Sequence, residues 1–139
     1  MKQLSFVLLA ITALIVESYG ATPAKKCREG DLRKTEVCIL HCEYSHYGFA
    51  GNNFKIDEKH TKKLTDILIQ YGGVAKNKAK DIRRHLRNCA NEALARSALN
   101  KDQKCTRVID YYRCAVKTDL FSYTSYATAV IKYDKTINV

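Results

Sequence analysis

The stretch CILHCEYSH, residues 38 to 46, places two cysteines four positions apart. Residues four apart lie on the same face of an α-helix, so disulfides from Cys38 and Cys42 would leave one side of a helix toward the core. We predict a first helix from about residue 31 to residue 46. The segment that follows, YGFAGNN at residues 47 to 53, has the glycine and asparagine content typical of a chain break.

Six cysteines are present, all of them after residue 20. An even number of cysteines in a small secreted chain predicts three disulfides. The alternative is a zinc site, because soft ligands spaced along a helix can bind zinc. Because an even number of cysteines can all be paired, disulfides are favoured over a zinc site. No metal or cofactor is expected. The zinc alternative would use Cys38, His41, Cys42 and His46.

The first 20 residues have the layout of a secretory signal peptide. Lys2 is followed by an apolar run over residues 4 to 16, and small residues, Ser18 and Gly20, precede a cut at Ala21. A membrane anchor is the alternative, but this run is too short to span a bilayer. We therefore expect residues 21–139 to form one secreted, extracellular domain, whose only proline, Pro23, lies in a frayed N-terminal tail.

The rest of the chain predicts an all-α fold of five to six helices. Helices are expected over about 57–71, 76–98, 103–116 and 119–135, and Gly72-Gly73 ends the second at a left-handed cap. In the last segment Thr and Tyr favour a strand, but the helical spacing of its apolar residues favours a helix. The apolar positions are Leu64, Ile67, Leu68 and Tyr71; Ile82, Leu86, Cys89, Ala90 and Ala93; Val108, Ile109, Tyr112 and Val116; and Tyr123, Tyr126, Ala127, Val130 and Tyr133.

A basic stripe marks the third predicted helix, KNKAKDIRRHLRNCA at residues 76 to 90. At roughly 100° per residue, its five main cations fall within an arc of about 100° beside the apolar stripe. Like charges at i, i+4 repel one another, and only Asp81 is expected to lie close enough to relieve this repulsion. The five cations are Lys76, Lys80, Arg83, Arg84 and Arg87, and the preceding helix adds Lys59, Lys62 and Lys63, partly offset by Asp57, Glu58 and Asp66.

Two interpretations of this stripe are open. Long cationic side chains often solubilise a helix and cover its apolar flank. The net charge of +10, which is the same after removal of the leader, instead favours binding of an anionic polymer by counterion release. In a secreted protein the candidate partners are heparin-like glycans, polyphosphate, dextran sulfate, extracellular nucleic acid and anionic membrane.

The cysteine intervals are Cys27-x10-Cys38-x3-Cys42-x46-Cys89-x15-Cys105-x8-Cys114. The x3 and x8 spacings in a short helical chain resemble the insect odorant-binding protein superfamily. HCEYSHYGFA, with its Tyr47-Gly48-Phe49 turn, is similar to the small odorant-binding-like salivary proteins of blood-feeding sand flies, relatives of the short mosquito salivary amine-binding proteins. The resemblance implies the pairs Cys27–Cys42, Cys38–Cys105 and Cys89–Cys114. It also implies secretion in saliva and inhibition of contact activation of coagulation through polyanion binding.

The ten-residue interval between the first two cysteines departs from the odorant-binding pattern, in which a longer interval helps to wall the ligand cavity. A deep pocket is therefore not expected, and the aromatics Tyr44, Phe49, Tyr112, Phe121, Tyr123 and Tyr126 are predicted to be plain core. The rival function is a carrier of biogenic amines, lipid mediators or odorant-like molecules. An amine carrier needs a buried carboxylate, for which Glu92 and Asp110 are candidates, although surface positions are expected for both.

Catalysis is not expected. The histidines, at positions 41, 46, 60 and 85, are scattered, and the sequence has neither a G-x-S-x-G motif nor a clustered carboxylate pair. Membrane lysis is also disfavoured, because Cys89 is expected to hold the basic helix against the core, unlike a free interfacial helix. The sequence thus predicts a monomeric, non-enzymatic, polyanion-binding domain.

Overall fold

The computed structural model describes residues 20–29 and 36–139, and this part of the chain contains helices and no strand. The predicted signal peptide falls on residues outside it, apart from Gly20, as do residues 31–35 of the predicted first helix. No helix in the described ranges is long and apolar enough to cross a membrane. The α-helices are α1 (Pro23–Glu29), α2 (Ile39–Tyr47), α3 (Glu58–Gln70), α4 (Ala79–Ala95), α5 (Lys101–Val116) and α6 (Tyr123–Asp134).

Helix α1 corrects the prediction of a frayed N-terminal tail. Pro23 is its first residue and is buried. Proline suits that position because its missing N–H has no partner inside a helix and its φ angle is already helical. The Ala24 N–H donates to Asp134 Oδ1 at 2.9 Å, and the Val139 N–H donates to the Ala21 carbonyl at 3.0 Å. The prediction was wrong because these partners lie at the other end of the chain.

Three disulfides connect the helices. Cys38 lies in a 3-10 turn, Glu36–Cys38, directly before α2. Cys38 and Cys42 therefore do not share one regular helix, and their disulfides lead to different elements, α5 and α1. The pairs are Cys27–Cys42, Cys38–Cys105 and Cys89–Cys114, the same pairs that the family resemblance implies.

Helix α3 buries Leu64, Ile67 and Leu68, as its spacing predicts. Its end has the expected left-handed residue, Gly72, with φ of 73°. Gly73 serves a different purpose, because a Cβ there would lie 3.0 Å from both Ala129 Cβ and the Ser125 carbonyl oxygen of α6. The glycine pair therefore ends α3, and it lets α6 pack closely against the residues that directly follow α3.

Helix α4 packs against both α3 and α5. Its predicted apolar stripe is confirmed, since Ile82, Leu86, Cys89, Ala90 and Ala93 are all buried. The predicted ends of this helix are not confirmed. Residues 76–78 form a separate 3-10 turn, and the helix ends at Ala95 rather than near residue 98.

The final segment is the predicted helix, α6, which packs against α3. Tyr126 and Ala129 are its buried apolar residues, whereas the side chain of Tyr123 is 59% exposed. Tyr44, Phe49 and Phe121 are buried as predicted. Tyr123 and the half-buried Tyr112 are not plain core. Periodicity places both on the apolar side of their helices, but these residues face an open cleft.

Candidate functional site

The central cations of the basic stripe line one solvent-open cleft of about 530 Å³. The cleft begins at the N-terminal turn of α4 and extends to the first residue of α3. Burial of the α4 apolar stripe leaves the neighbouring surface of the helix open to solvent, so these side chains lie together on one accessible face. Its lining residues are Glu58, Ala79, Lys80, Arg83, Arg84 and Arg87.

Glu58 is the acidic residue within this cleft. Its Oε1 atom lies 3.3 Å from Arg83 Nη2 and 3.1 Å from Arg87 Nη2, so one carboxylate oxygen contacts two guanidinium groups. Arg84 has a looser contact with Asp81, at 3.6 Å. The expectation that Asp81 alone relieves repulsion within the stripe is therefore wrong, because Glu58 reaches two of the arginines from α3.

Arg83 is the most enclosed of the three arginines in this cleft, with its side chain 38% exposed. Its Nε atom is buried and has no hydrogen-bond acceptor among the residues that the structure describes. A guanidinium group offers five N–H donors in a fixed fork, and Glu58 uses one of those on Arg83. The cleft thus contains hydrogen-bonding capacity that its own carboxylate does not fill.

The remaining predicted cations lie outside this cleft. Lys76 belongs to the 3-10 turn before α4, so the arc calculated for five cations on one α-helix does not include it. Lys62 pairs with Asp66 at 2.6 Å. Lys59 and Lys63 line a shallower cleft beside residues 48–52, and Lys63 Nζ also lies 5.4 Å from the centre of the Tyr133 ring.

A second cleft, of about 470 Å³, lies among α1, α2, α5 and α6. Its surface is rich in tyrosine, and it also carries two carboxylates, Glu43 and Asp134, and two arginines, Arg28 and Arg113. The cleft is open to solvent and is not a deep, enclosed pocket, so it does not contradict the expectation drawn from the short interval between the first two cysteines. Its aromatic lining is Tyr44, Tyr47, Tyr112, Tyr123 and Tyr126.

Glu43 is the distinctive charged group of this tyrosine cleft. Its side chain is only 12% exposed, and Arg28 Nε lies 3.5 Å from its Oε1 atom. That oxygen is buried and has no hydrogen-bond partner in the described structure. Burial raises the pKa of Glu43, the charge of Arg28 opposes the increase, and Asp134 adds to it. Glu43 is thus a poorly compensated carboxylate at the wall of an aromatic cleft.

The carboxylates that the sequence suggested for an amine site lie elsewhere. Asp110 pairs with Arg96 at 2.9 Å, and Glu92 is exposed. Both line a different cleft between α4 and α5. The sequence missed Glu43 because the cleft that encloses it forms only when α1 and α6 pack beside α2.

The residues of the zinc alternative have other partners. Cys38 and Cys42 are both in disulfides. The His41 ring stacks on Phe54 with ring centroids 4.0 Å apart, and its Nε2 atom lies 2.9 Å from the Gly51 carbonyl oxygen. His46 has its ring near the Cys27–Cys42 disulfide, whose sulfurs are already bonded to each other. This arrangement does not provide a set of free zinc ligands.

Two further histidines hold helices in place. Burial lowers the pKa of His60, against the opposing effect of the Asp57 carboxylate, and the Asp57 N–H donates to Nδ1 of the ring at 3.1 Å. This contact completes a capping box at the start of α3. His85 Nε2 lies 3.0 Å from the Ala115 carbonyl oxygen, which links α4 to α5.

Known proteins similar to this chain come from sand fly saliva. Ayaconin from Lutzomyia ayacuchensis is 32% identical over 131 residues, which cover 94% of this chain and 90% of ayaconin. Salivary proteins 15b and 15a from Phlebotomus duboscqi are 33% and 32% identical over 143 and 144 aligned positions, covering the full length of each chain. The chain belongs to this family of sand fly salivary proteins. No family model matches it.

Membership of this salivary family and the three disulfides are consistent with a secreted protein. In this family member, the structure brings together Lys80, Arg83, Arg84 and Arg87 and adds Glu58. The sequence placed Glu58 among the acids that offset the lysines of the second predicted helix, but it did not indicate that Glu58 contacts Arg83 and Arg87 of α4.

Proposed function

We propose that this salivary protein binds anionic polymers and surfaces through the arginine cleft, defined as Lys80, Arg83, Arg84, Arg87 and Glu58. The proposal rests on one observation, the convergence of four cationic side chains in a single open cleft. By covering an anionic surface, the protein would deny clotting zymogens the template on which they assemble, and would thereby inhibit contact-pathway activation of coagulation. Lys76, Lys59, Lys62 and Lys63 would add attraction from neighbouring positions.

The physical basis of this function is counterion release. A polymer that carries condensed cations releases them when protein cations replace them, so affinity falls steeply as salt rises. Each cation near an anionic surface contributes about 1 kcal/mol. Four converging cations on a chain of net charge +10 therefore give useful affinity without shape recognition. The partners would be heparin-like glycans, polyphosphate, dextran sulfate or extracellular nucleic acid, bound without sequence preference.

The wider assignment is also a proposal. We place the chain in the insect odorant-binding protein superfamily on its cysteine spacing and its helical, disulfide-linked fold. We further propose that it is a monomer secreted into saliva after cleavage before Ala21, and that it acts by binding rather than by catalysis. The structural contacts of His41, His60 and His85 support a non-catalytic role for these groups.

The test is binding of dextran sulfate and heparin at low and high salt by the mature protein and by a variant with Arg83, Arg84 and Arg87 changed to alanine. We expect the affinity of the variant to be about a hundredfold lower at low salt, as the loss of three contacts of roughly 1 kcal/mol would give. The wild type should lengthen the clotting time of plasma triggered by contact activation, and the variant should lengthen it less. The clotting time of plasma triggered by tissue factor should not change with either protein.

A matched control removes the same charge outside the cleft. Lys26, Lys101 and Lys135 are exposed and do not line it, so their joint change to alanine should weaken binding only a few-fold. Equal losses in the two triple variants would show that net charge, and not the cleft, determines binding. Absence of binding by the wild type at physiological salt would refute the proposal.

The tyrosine cleft supports a second candidate function, a carrier of small ligands. Its aromatic wall and poorly compensated Glu43 suit an aromatic amine, whose ammonium group could pair with that carboxylate. Calorimetry with serotonin and with a fatty-acid probe tests this candidate. Serotonin binding that is insensitive to salt and is weakened by Glu43→Gln would support it, and absence of heat with both ligands would exclude it.

A further inference from the structure

Glu58 occupies the position in the arginine cleft where a bound anion would be expected. It is the first residue of α3, and its side chain, 67% exposed, extends to two arginines of α4. A single oxygen, Oε1, contacts both guanidinium groups. A sulfate or phosphate group of a ligand would use the same Nη2 donors, so the carboxylate and the ligand compete directly.

The contact also has a structural effect. Arg83 and Arg87 are four residues apart on α4, a spacing at which like charges repel, and the shared carboxylate reduces that repulsion. Lys80 has no carboxylate partner in the described part of the chain, and Arg84 has only the 3.6 Å contact with Asp81. Glu58 therefore contacts two of the four cations in the cleft, and the other two, Lys80 and Arg84, remain available to a ligand.

We propose that Glu58 is a built-in competitor that sets a minimum charge density for ligands of the arginine cleft. This inference rests on the proposed polyanion binding and specifies its selectivity. A single anion that displaces Glu58 exchanges one anionic partner for another and gains little. A polymer with closely spaced sulfate or phosphate groups can replace Glu58 and at the same time engage Lys80 and Arg84, so several contacts offset one displacement.

The ligand class that follows is a densely charged polymer, such as inorganic polyphosphate or highly sulfated dextran. Sparsely sulfated dextran and free inorganic phosphate should bind weakly. Glu58 would in this way keep the cleft from being filled by the monovalent and divalent anions of extracellular fluid, and reserve it for polymers and surfaces.

The experiment measures the affinity of the mature protein for dextran sulfate of high and of low substitution, and for inorganic phosphate, at several salt concentrations. Glu58→Gln should bind both dextrans about five- to twentyfold more tightly, as one or two released contacts of this kind would give. The dependence of log affinity on log salt should steepen by about one to two. The ratio of the affinity for highly substituted dextran sulfate to the affinity for sparsely substituted dextran sulfate should be smaller for Glu58→Gln than for the wild type.

Two further variants separate this effect from a change in net charge. Asp81→Asn alters the charge by the same amount but frees only the loose contact to Arg84, so less than about threefold tightening is expected. Glu58→Asp keeps the charge and shortens the side chain by one methylene, and should tighten binding by an intermediate factor. Thermal unfolding establishes that each variant is folded.

The outcomes distinguish this inference from the proposed function. If the wild type binds dextran sulfate and Glu58→Gln binds no more tightly than Asp81→Asn, the competitor role is wrong while polyanion binding stands. Weaker binding by Glu58→Gln would mean that Glu58 positions the arginines for the ligand, which also overturns the inference. If neither the wild type nor any variant binds, both proposals fail.

Discussion

The hydroxyl of Tyr47 donates a hydrogen bond to Asp134 Oδ1 at 2.7 Å, between residues 87 positions apart in the sequence. The same oxygen accepts the Ala24 N–H at 2.9 Å. One buried carboxylate therefore joins α1, α2 and the C-terminal end of α6. Two helices near the start of the chain and one near its end meet at this atom, and all three line the tyrosine cleft.

Removal of this carboxylate should destabilise the protein. A buried donor that loses its acceptor costs about 1–3 kcal/mol, so Asp134→Ala is expected to lower the free energy of unfolding by roughly 2–4 kcal/mol, because two donors are affected. Tyr47→Phe should cost about 1 kcal/mol. Urea unfolding of both single variants and the double variant gives their coupling. Strictly additive losses would contradict the shared hydrogen bond.

Glu43 should make stability depend on pH in a defined direction. Burial raises its pKa in the folded state above the ordinary value of 4.5, so folding favours the protonated form. The corresponding stabilisation is fully present below pH 4.5 and is lost as pH rises through the folded-state pKa. Glu43→Gln should therefore be more stable than the wild type at neutral pH, and the difference should disappear in acid.

Arg28 provides the control for the Glu43 prediction. Its charge opposes the rise in the pKa of Glu43, so Arg28→Ala should lower stability at neutral pH, and Glu43→Gln should then be more beneficial than in the wild-type background. Differences in urea midpoint between variant and wild type, measured from pH 4 to 8, test both statements, because the titration of the other carboxylates is common to the proteins compared. A Glu43→Gln variant that is less stable at neutral pH would refute the assignment.

Features with local causes were predictable from the sequence. The stripe on α4 and the stop at Gly72 depend on residue spacing and backbone geometry, and both are present in the structure. Features that depend on partners distant in the sequence could not be predicted. The folding of α1 depends on Asp134, and the partner of Arg83 and Arg87 comes from another helix. No pattern around Pro23 indicates a partner more than 100 residues away.

The candidate site follows the same division. Spacing on one helix correctly grouped Lys80, Arg83, Arg84 and Arg87. It could not place Lys59 and Lys63, which turn toward residues 48–52, because their direction depends on how α3 rotates against its neighbours. The tyrosine cleft was missed for a related reason, since aromatic residues at helical spacing look the same whether they face a core or a cleft.

The three disulfides should differ in their contributions to stability. In the loop-entropy description, a bond that closes a longer loop restricts the unfolded chain more. The pairs are separated by 67, 25 and 15 residues for Cys38–Cys105, Cys89–Cys114 and Cys27–Cys42. Replacing each pair by alanine should lower the free energy of unfolding by about 4, 3.5 and 3 kcal/mol respectively. Urea unfolding of the three variants tests this order.

Burial sharpens the expected difference, because Cys38 and Cys105 are both buried whereas Cys42 is only half-buried. Loss of Cys27–Cys42 should also have a local consequence. This bond holds α1 against α2 beside the tyrosine cleft, and the arginine cleft lies on α3 and α4. The Cys27→Ala, Cys42→Ala variant should therefore keep dextran sulfate affinity within about twofold, since surface cation contacts depend little on distant packing. A large loss of polymer binding in a folded variant would mean that the anionic partner also contacts α1.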